Sequence, residues 1–131
     1  MKAENETKQG LRKKLDKAHA ELIRSRGRCV TCGTSRSITC GHLIHRAKWA
    51  TRWDTEANGN CHPQCWNCNY HHEEDALLFT SWYIRQWGEQ QYEMLLLRSN
   101  RNYTPTKQEL IETLESIKEE RNNDRRQEDH P

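Results

Sequence analysis

Apolar residues recur at helical spacing in several stretches of this chain and are sparse elsewhere. Leu11, Leu15, Leu22 and Ile23 share one face of a helix predicted over residues 1–26, which Gly27 ends. Residues 35–43 are rich in β-formers and predict a short strand carrying His42. A polar loop follows through Trp49, Trp53 and Asn58-Gly59-Asn60, where Asn-Gly marks a turn. A short extended piece then reaches Cys65-Trp66-Asn67-Cys68, with a helix expected from about Asn69. Leu78, Phe79, Trp82, Tyr83 and Trp87 have the spacing of a buried helix face. Gly88 is expected to break that helix and a further one to occupy residues 89–97. Thr104-Pro105, and Thr106 with Glu109, are helix-start signals. Leu110, Ile111, Leu114 and Ile117 form the stripe of a last amphipathic helix, and the residues after Glu120 read as disordered. The organisation expected is an N-terminal helix over 1–26, a central domain over 27–100, and a C-terminal helix and tail over 101–131.

Composition adds a constraint. Only 33% of the residues are hydrophobic, 31% are charged, and the mean hydropathy is −1.19. So little apolar material offsets the entropy of ordering the chain poorly, and such a domain needs a staple of disulfides or metal. Six cysteines are available for it. The N-terminus is charged from its second residue, and the longest apolar run, residues 94–97, is too short to span a bilayer. A cytoplasmic location without membrane attachment is therefore expected, where cysteine pairs bind metal more often than they form disulfides.

A net charge of +2 says little, but its distribution says more. No acidic residue occurs from Ile23 to Trp53, whereas Arg24, Arg26, Arg28, Arg36, Arg46, Lys48 and Arg52 all fall there. Seven cations without a local counter-charge point to a phosphate-facing surface. The five tryptophans read mostly as core, with base stacking by Trp49 or Trp53 the lesser alternative.

Cys29 and Cys32 form one C-x-x-C pair, Cys65 and Cys68 another. Each sets two thiolates on a tight turn, as tetrahedral Zn²⁺ requires. The interval between the pairs exceeds the common ribbon spacing and predicts a ribbon with an insertion. Cys40 and Cys61 are left over and read as packed thiols, the alternative being a competing ligand set with His42 and His62. His19, His45, His62 and His71 read individually as surface or structural residues. Imidazole has the near-neutral pKa that phosphodiester hydrolysis asks of a base.

Gly41-His42, then Asn60, then Cys65-x-x-Cys68-Asn69 resembles the HNH (ββα-metal) nuclease motif. The stretches RCVTCG (28–33), CGHLIHRAKWATRWDTEANGNCHPQCWNCN (40–69) and IRQWGEQQYEMLLLRSN (84–100) are similar to the phage NinG/Rap recombination-nuclease family. The resemblance implies an α+β fold: a small zinc-stapled ββα-metal core with flanking N-terminal and C-terminal helices. It implies a metal-dependent DNA endonuclease for branched DNA or Holliday junctions, working as a homodimer. It puts His42 in the role of general base and Asn69 at the helix position that holds a catalytic Mg²⁺ or other divalent ion. It also makes Asn60 the residue that hydrogen-bonds across the loop to fix the histidine strand. His72 and Glu73 lie three and four residues beyond Asn69 and could complete the metal shell; Arg46 could clamp phosphate. Gly41 stands where many HNH enzymes have an Asp or His ligand, and His45, His71, Asp54 or water could fill that place. The competing functions are a non-catalytic zinc-ribbon nucleic-acid-binding module and a helical scaffold.

Overall fold

A computed structural model describes residues 5–128 and shows a mixed α+β chain of four helices and one antiparallel hairpin. Helix α1 spans Lys8–Arg24, its first turn capped by the Thr7 hydroxyl, which accepts from Gly10 N at 3.0 Å. Leu11, Leu15, His19, Leu22 and Ile23 are its buried residues. Strand β1 is Ile38–His42 and β2 is Cys61–Cys65, in a register that pairs Ile38 with Cys65 and His42 with Cys61. Helix α2, Trp66–His72, follows β2 without a linker. It begins three residues before Asn69, because the Cys65 sulfur itself serves as the N-cap and accepts from Cys68 N. Reading the pair only as metal ligands concealed that second role.

Helix α3, Leu77–Ser99, is two helical segments meeting at Gly88, whose φ of 87° is open to glycine at little cost. This is the break expected there. Helix α4, Lys107–Glu128, opens with the reciprocal bonds of a capping box: Glu109 N donates to Thr106 Oγ1 at 3.1 Å, and Thr106 N to Glu109 Oε1 at 2.9 Å. The helix runs to Glu128, so the disorder expected after Glu120 is corrected for residues 121–128; residues 129–131 lie outside the described part. Extending an anchored helix adds a hydrogen bond for each residue fixed, whereas only nucleation is costly. The Glu120 carboxylate also accepts from Arg26 at 2.8 Å, tying α4 to the turn that follows α1.

Two apolar clusters form the core. In one, Leu11, Leu15 and Leu22 of α1 pack against Leu110, Ile111, Leu114 and Ile117 of α4. The chain's first and last helices thus cover each other, and α1 in turn packs against both strands. In the other, Phe79, Tyr83 and Leu95 of α3 surround Leu43, with Trp82 and Trp87 at its edge. Three of the five tryptophans, Trp53, Trp82 and Trp87, pack against one or other cluster. Among the described residues, no helix is long and apolar enough to cross a membrane.

Because Leu110 is fully buried between α4 and α1, Leu110→Ala is expected to cost about 2–5 kcal/mol in urea denaturation. A cost below about 1 kcal/mol would mean that α4 does not seal this core.

Candidate functional site

The first site is built of sulfur. Gly33, at φ 82°, lets residues 29–33 close on themselves, with Gly33 N donating to Cys29 O at 2.9 Å. Val30 N donates to Pro63 O at 2.9 Å and ties this turn to β2. The sulfurs of Cys29, Cys32, Cys65 and Cys68 all lie within 4.8 Å of one another. The 3.7 Å between Cys32 Sγ and Cys65 Sγ matches the edge of a tetrahedron about 3.8 Å long, given Zn–S bonds of about 2.3 Å. Burial raises the Cys29 thiol, but hydrogen bonds from Thr31 and from backbone groups overcome it and bring it to about 6. Burial pushes Cys68 up to about 12. Four thiols left to themselves resist becoming four thiolates; a cation at their centre removes that resistance. The cluster is consistent with structural zinc.

The second site is a pocket of about 490 Å³ between α1, β1 and α2, whose walls include His42, Arg46, Asn69, His72 and Glu73. His42 ends β1, and its Nε2 donates to Arg52 O at 2.8 Å. That bond fixes the tautomer and leaves the lone pair on Nδ1. Burial lowers the His42 pKa below its ordinary value, which favours the neutral ring. Asn69 Nδ2 donates to Thr39 Oγ1 at 3.0 Å, which turns the amide so that Oδ1 is its remaining acceptor. Glu73, at the end of α2, supplies a carboxylate. His72 is differently engaged: its Nε2 donates to Leu43 O at 2.9 Å and its Nδ1 is buried without a partner. Asn60 lies outside the pocket and is fully buried. Its Oδ1 accepts from Ile44 N at 2.7 Å and its Nδ2 donates to Ile44 O at 2.9 Å, so it clasps the chain two residues past His42.

The basic segment is not without counter-charge, which corrects the reading of residues 23–53 in isolation. Asp16, one turn before His19 on α1, accepts from Arg46 at 2.8 Å and from Arg52 at 3.0 and 2.7 Å. Burial works against the Asp16 carboxylate, but hydrogen bonds from Arg52 and Trp53 prevail and hold its pKa below the usual range. Arg12 and Arg52 stand over the Trp49 ring, at 4.8 and 4.9 Å from its centroid. Trp53 donates to Asp16 at 2.9 Å. Both tryptophans are therefore occupied within the fold.

Of the residues weighed to replace a ligand at position 41, His45 lines the pocket, whereas His71 and Asp54 do not. Asp54 instead receives both terminal nitrogens of Arg98 at 2.8 Å. Gly41 has its own steric reason: a Cβ there would stand 2.3 Å from Gln64 Oε1.

Sequence reasoning missed His19. It is 1% exposed, and the structure gathers it with Cys40, His42 and Cys61, ligand-capable atoms all within 4.8 Å. Cys40 and Cys61, read from the sequence as packed thiols, thus stand beside two imidazoles. The imidazole beside His42 in this set is His19, not His62, which donates to Gly59 O at 2.8 Å and packs among Phe79, Trp82 and Trp87. The signal was present in the pattern: His19 falls four residues after Leu15 and three before Leu22, on the buried stripe of α1.

A model of the family described as bacteriophage lambda NinG protein matches residues 2–129. No curated protein and no solved structure matches the chain.

Cys29→Ser and Cys65→Ser should each lose the ion of the sulfur cluster and lower Tm by about 10 °C or more, roughly 2–3 kcal/mol for a chain of this size. Zinc analysis and calorimetry check this, and full zinc retention by both variants would refute the ligand set.

Proposed function

The chain belongs to the NinG family, and from that premise we propose that it is a metal-dependent DNA endonuclease of HNH type, acting on branched DNA such as a Holliday junction in phage recombination. One observation carries this reading: a single pocket holds an imidazole of fixed tautomer beside the oxygens of Asn69 and Glu73. The order hairpin-then-helix, β1–β2–α2, is that of a ββα unit. Its final turn of strand and first turn of helix are held by the sulfur cluster.

In this mechanism His42 Nδ1 takes the proton of a water in line with the scissile phosphate. The Arg52 carbonyl stabilises the imidazolium that results, because it accepts from Nε2 throughout. Asn69 Oδ1 and the Glu73 carboxylate are hard oxygen donors, and Mg²⁺ is commonly held by one or two such groups with water and substrate phosphate. When bound, that ion supplies charge stabilisation at the phosphate and leaving oxygen. Arg46 lines the pocket, half exposed, and exchanges Asp16 for a phosphate oxygen when DNA docks. Asn60 is a positioning residue: it holds the loop whose Arg52 carbonyl orients His42. Resolution of a junction needs two cuts in different strands, so the proposed working unit is a homodimer.

The test is a cleavage assay on a four-way junction and a linear duplex, with Mg²⁺ or EDTA. Cutting should require the divalent ion, and His42→Ala should slow it by about 10²- to 10⁴-fold while leaving DNA affinity unchanged within about twofold. Salt-sensitive binding without cutting under any divalent ion would instead establish a nucleic-acid-binding module.

A further inference from the structure

The second cluster of thiols and imidazoles has no part in the chemistry above, yet it takes its fourth member from it. We propose that His19, Cys40, His42 and Cys61 form a second metal site, selective for a soft divalent ion of the Zn²⁺ class, and that filling it withdraws His42 from catalysis. The second half of this statement rests on the reading of His42 as the base; the first half does not.

The geometry is that of a cage rather than of a surface coincidence. Cys40 and His42 are two residues apart on β1 and so share one face of the hairpin. Cys61 is the cross-strand partner of His42 on β2. His19 comes from α1, packed across those strands. Three separate elements thus converge on one point: α1 and β2 deliver one ligand atom each, and β1 delivers two. Cys40 Sγ lies 3.8 Å from His19 Nδ1, against an edge of about 3.6 Å for a tetrahedron with Zn–S and Zn–N bonds of about 2.3 and 2.05 Å.

Both imidazoles are also prepared by their outer neighbours. His19 Nε2 donates to Asp54 O and His42 Nε2 donates to Arg52 O, each at 2.8 Å. A backbone carbonyl on one ring nitrogen fixes the tautomer and raises the basicity of the other nitrogen, which is how metal-bound histidines are usually supported. Both carbonyls belong to the one loop between the strands. As packing alone the arrangement is poor: a histidine 1% exposed on an apolar helix face has, among the described residues, a thiol as the one side-chain hydrogen-bond partner of its second nitrogen. Two sulfurs and two nitrogens favour zinc over magnesium, and four protein ligands leave no open position for a substrate. The site is therefore not a second catalytic metal.

His19, Cys40 and His42 line the same pocket as Asn69 and Glu73, so an ion can enter from the pocket. A neutral imidazole carries a single lone pair. Once either nitrogen of His42 binds the ion, the other bears the ring proton, and nothing remains to accept a proton from water. Occupation by zinc and base catalysis exclude each other at one atom pair.

The experiment counts metal first. The full chain is stripped, reloaded with Zn²⁺ alone and analysed by native mass spectrometry and elemental analysis. Two ions per chain are expected, falling to one in His19→Ala, Cys40→Ala, Cys61→Ser and His42→Ala, and also to one in Cys68→Ser, which leaves only the mixed site. Co²⁺ bound to Cys68→Ser should show the visible spectrum of tetrahedral coordination with two thiolates. Circular dichroism and the retained first zinc establish that the other variants fold. Saturation of the unaltered chain at a single zinc, or two zincs in Cys40→Ala and Cys61→Ser, overturns the site. In the Mg²⁺ cleavage assay, added Zn²⁺ should slow the unaltered chain. The Zn²⁺ concentration that halves the rate should rise at least about tenfold in Cys61→Ser, measured against that variant's own zinc-free rate. Two bound zincs with no effect on cleavage overturn the second half. An absence of cutting with every metal removes the nuclease reading, and the second half with it, while the zinc count alone decides the site.

Discussion

The convergence of Cys29, Cys32, Cys65 and Cys68 is the constraint on which the rest of this structure depends. A two-stranded hairpin of five-residue strands is marginal in water, and an isolated seven-residue helix is more so. Here the two meet at Cys65, which is the last residue of β2, the N-cap of α2 and a member of the sulfur cluster. A thiolate–metal bond at that residue would therefore orient strand and helix together. The turn that supplies Cys29 and Cys32 is bound in addition to Pro63 O through Val30 N. Loosening this junction would move Asn69 and Glu73 relative to His42, since the first two ride on α2 and the third on β1.

The remaining wall of the pocket comes from α1, and this explains why the chain carries helices outside its ββα unit. α4 buries the apolar face of α1, while α1 presents Asp16 and His19 toward the hairpin. Asp16 gathers Arg46, Arg52 and Trp53 around one carboxylate. By holding the Arg52 side chain it also steadies the backbone whose carbonyl orients His42. A partly buried bidentate pair of this kind is worth more for geometry than for net stability. The flanking helix is thus part of the site's positioning apparatus.

Two proposed coordination sets meet at the pocket and suit different ions. Asn69 and Glu73 offer oxygen, suited to a hard ion; His19, Cys40 and Cys61 offer nitrogen and sulfur, suited to a soft one. His42 lines the pocket with the first set and is a member of the second. If both proposals hold, its one lone pair makes it a point of control, because binding a soft ion would leave nothing to accept a proton from water.

Much of this was legible in the chain. The apolar stripes of α1 and α4, the break at Gly88 and the Thr106–Glu109 capping box are local, period-bearing signals that a sequence carries without knowing its neighbours. The two C-x-x-C pairs are equally local, since each sets its own turn. What the tertiary structure alone decided are the pairings between distant segments: Asp16 with arginines thirty and more residues on, Glu120 with Arg26, and His19 with Cys40, His42 and Cys61. A charge count within a window cannot see an acid on another helix, and a lone histidine on a helix stripe looks the same whether it packs or binds. The side chains that meet across α1 and the hairpin do so because α4 and the sulfur cluster hold those elements in place, and that placement is a property of the packed core rather than of any stretch of residues.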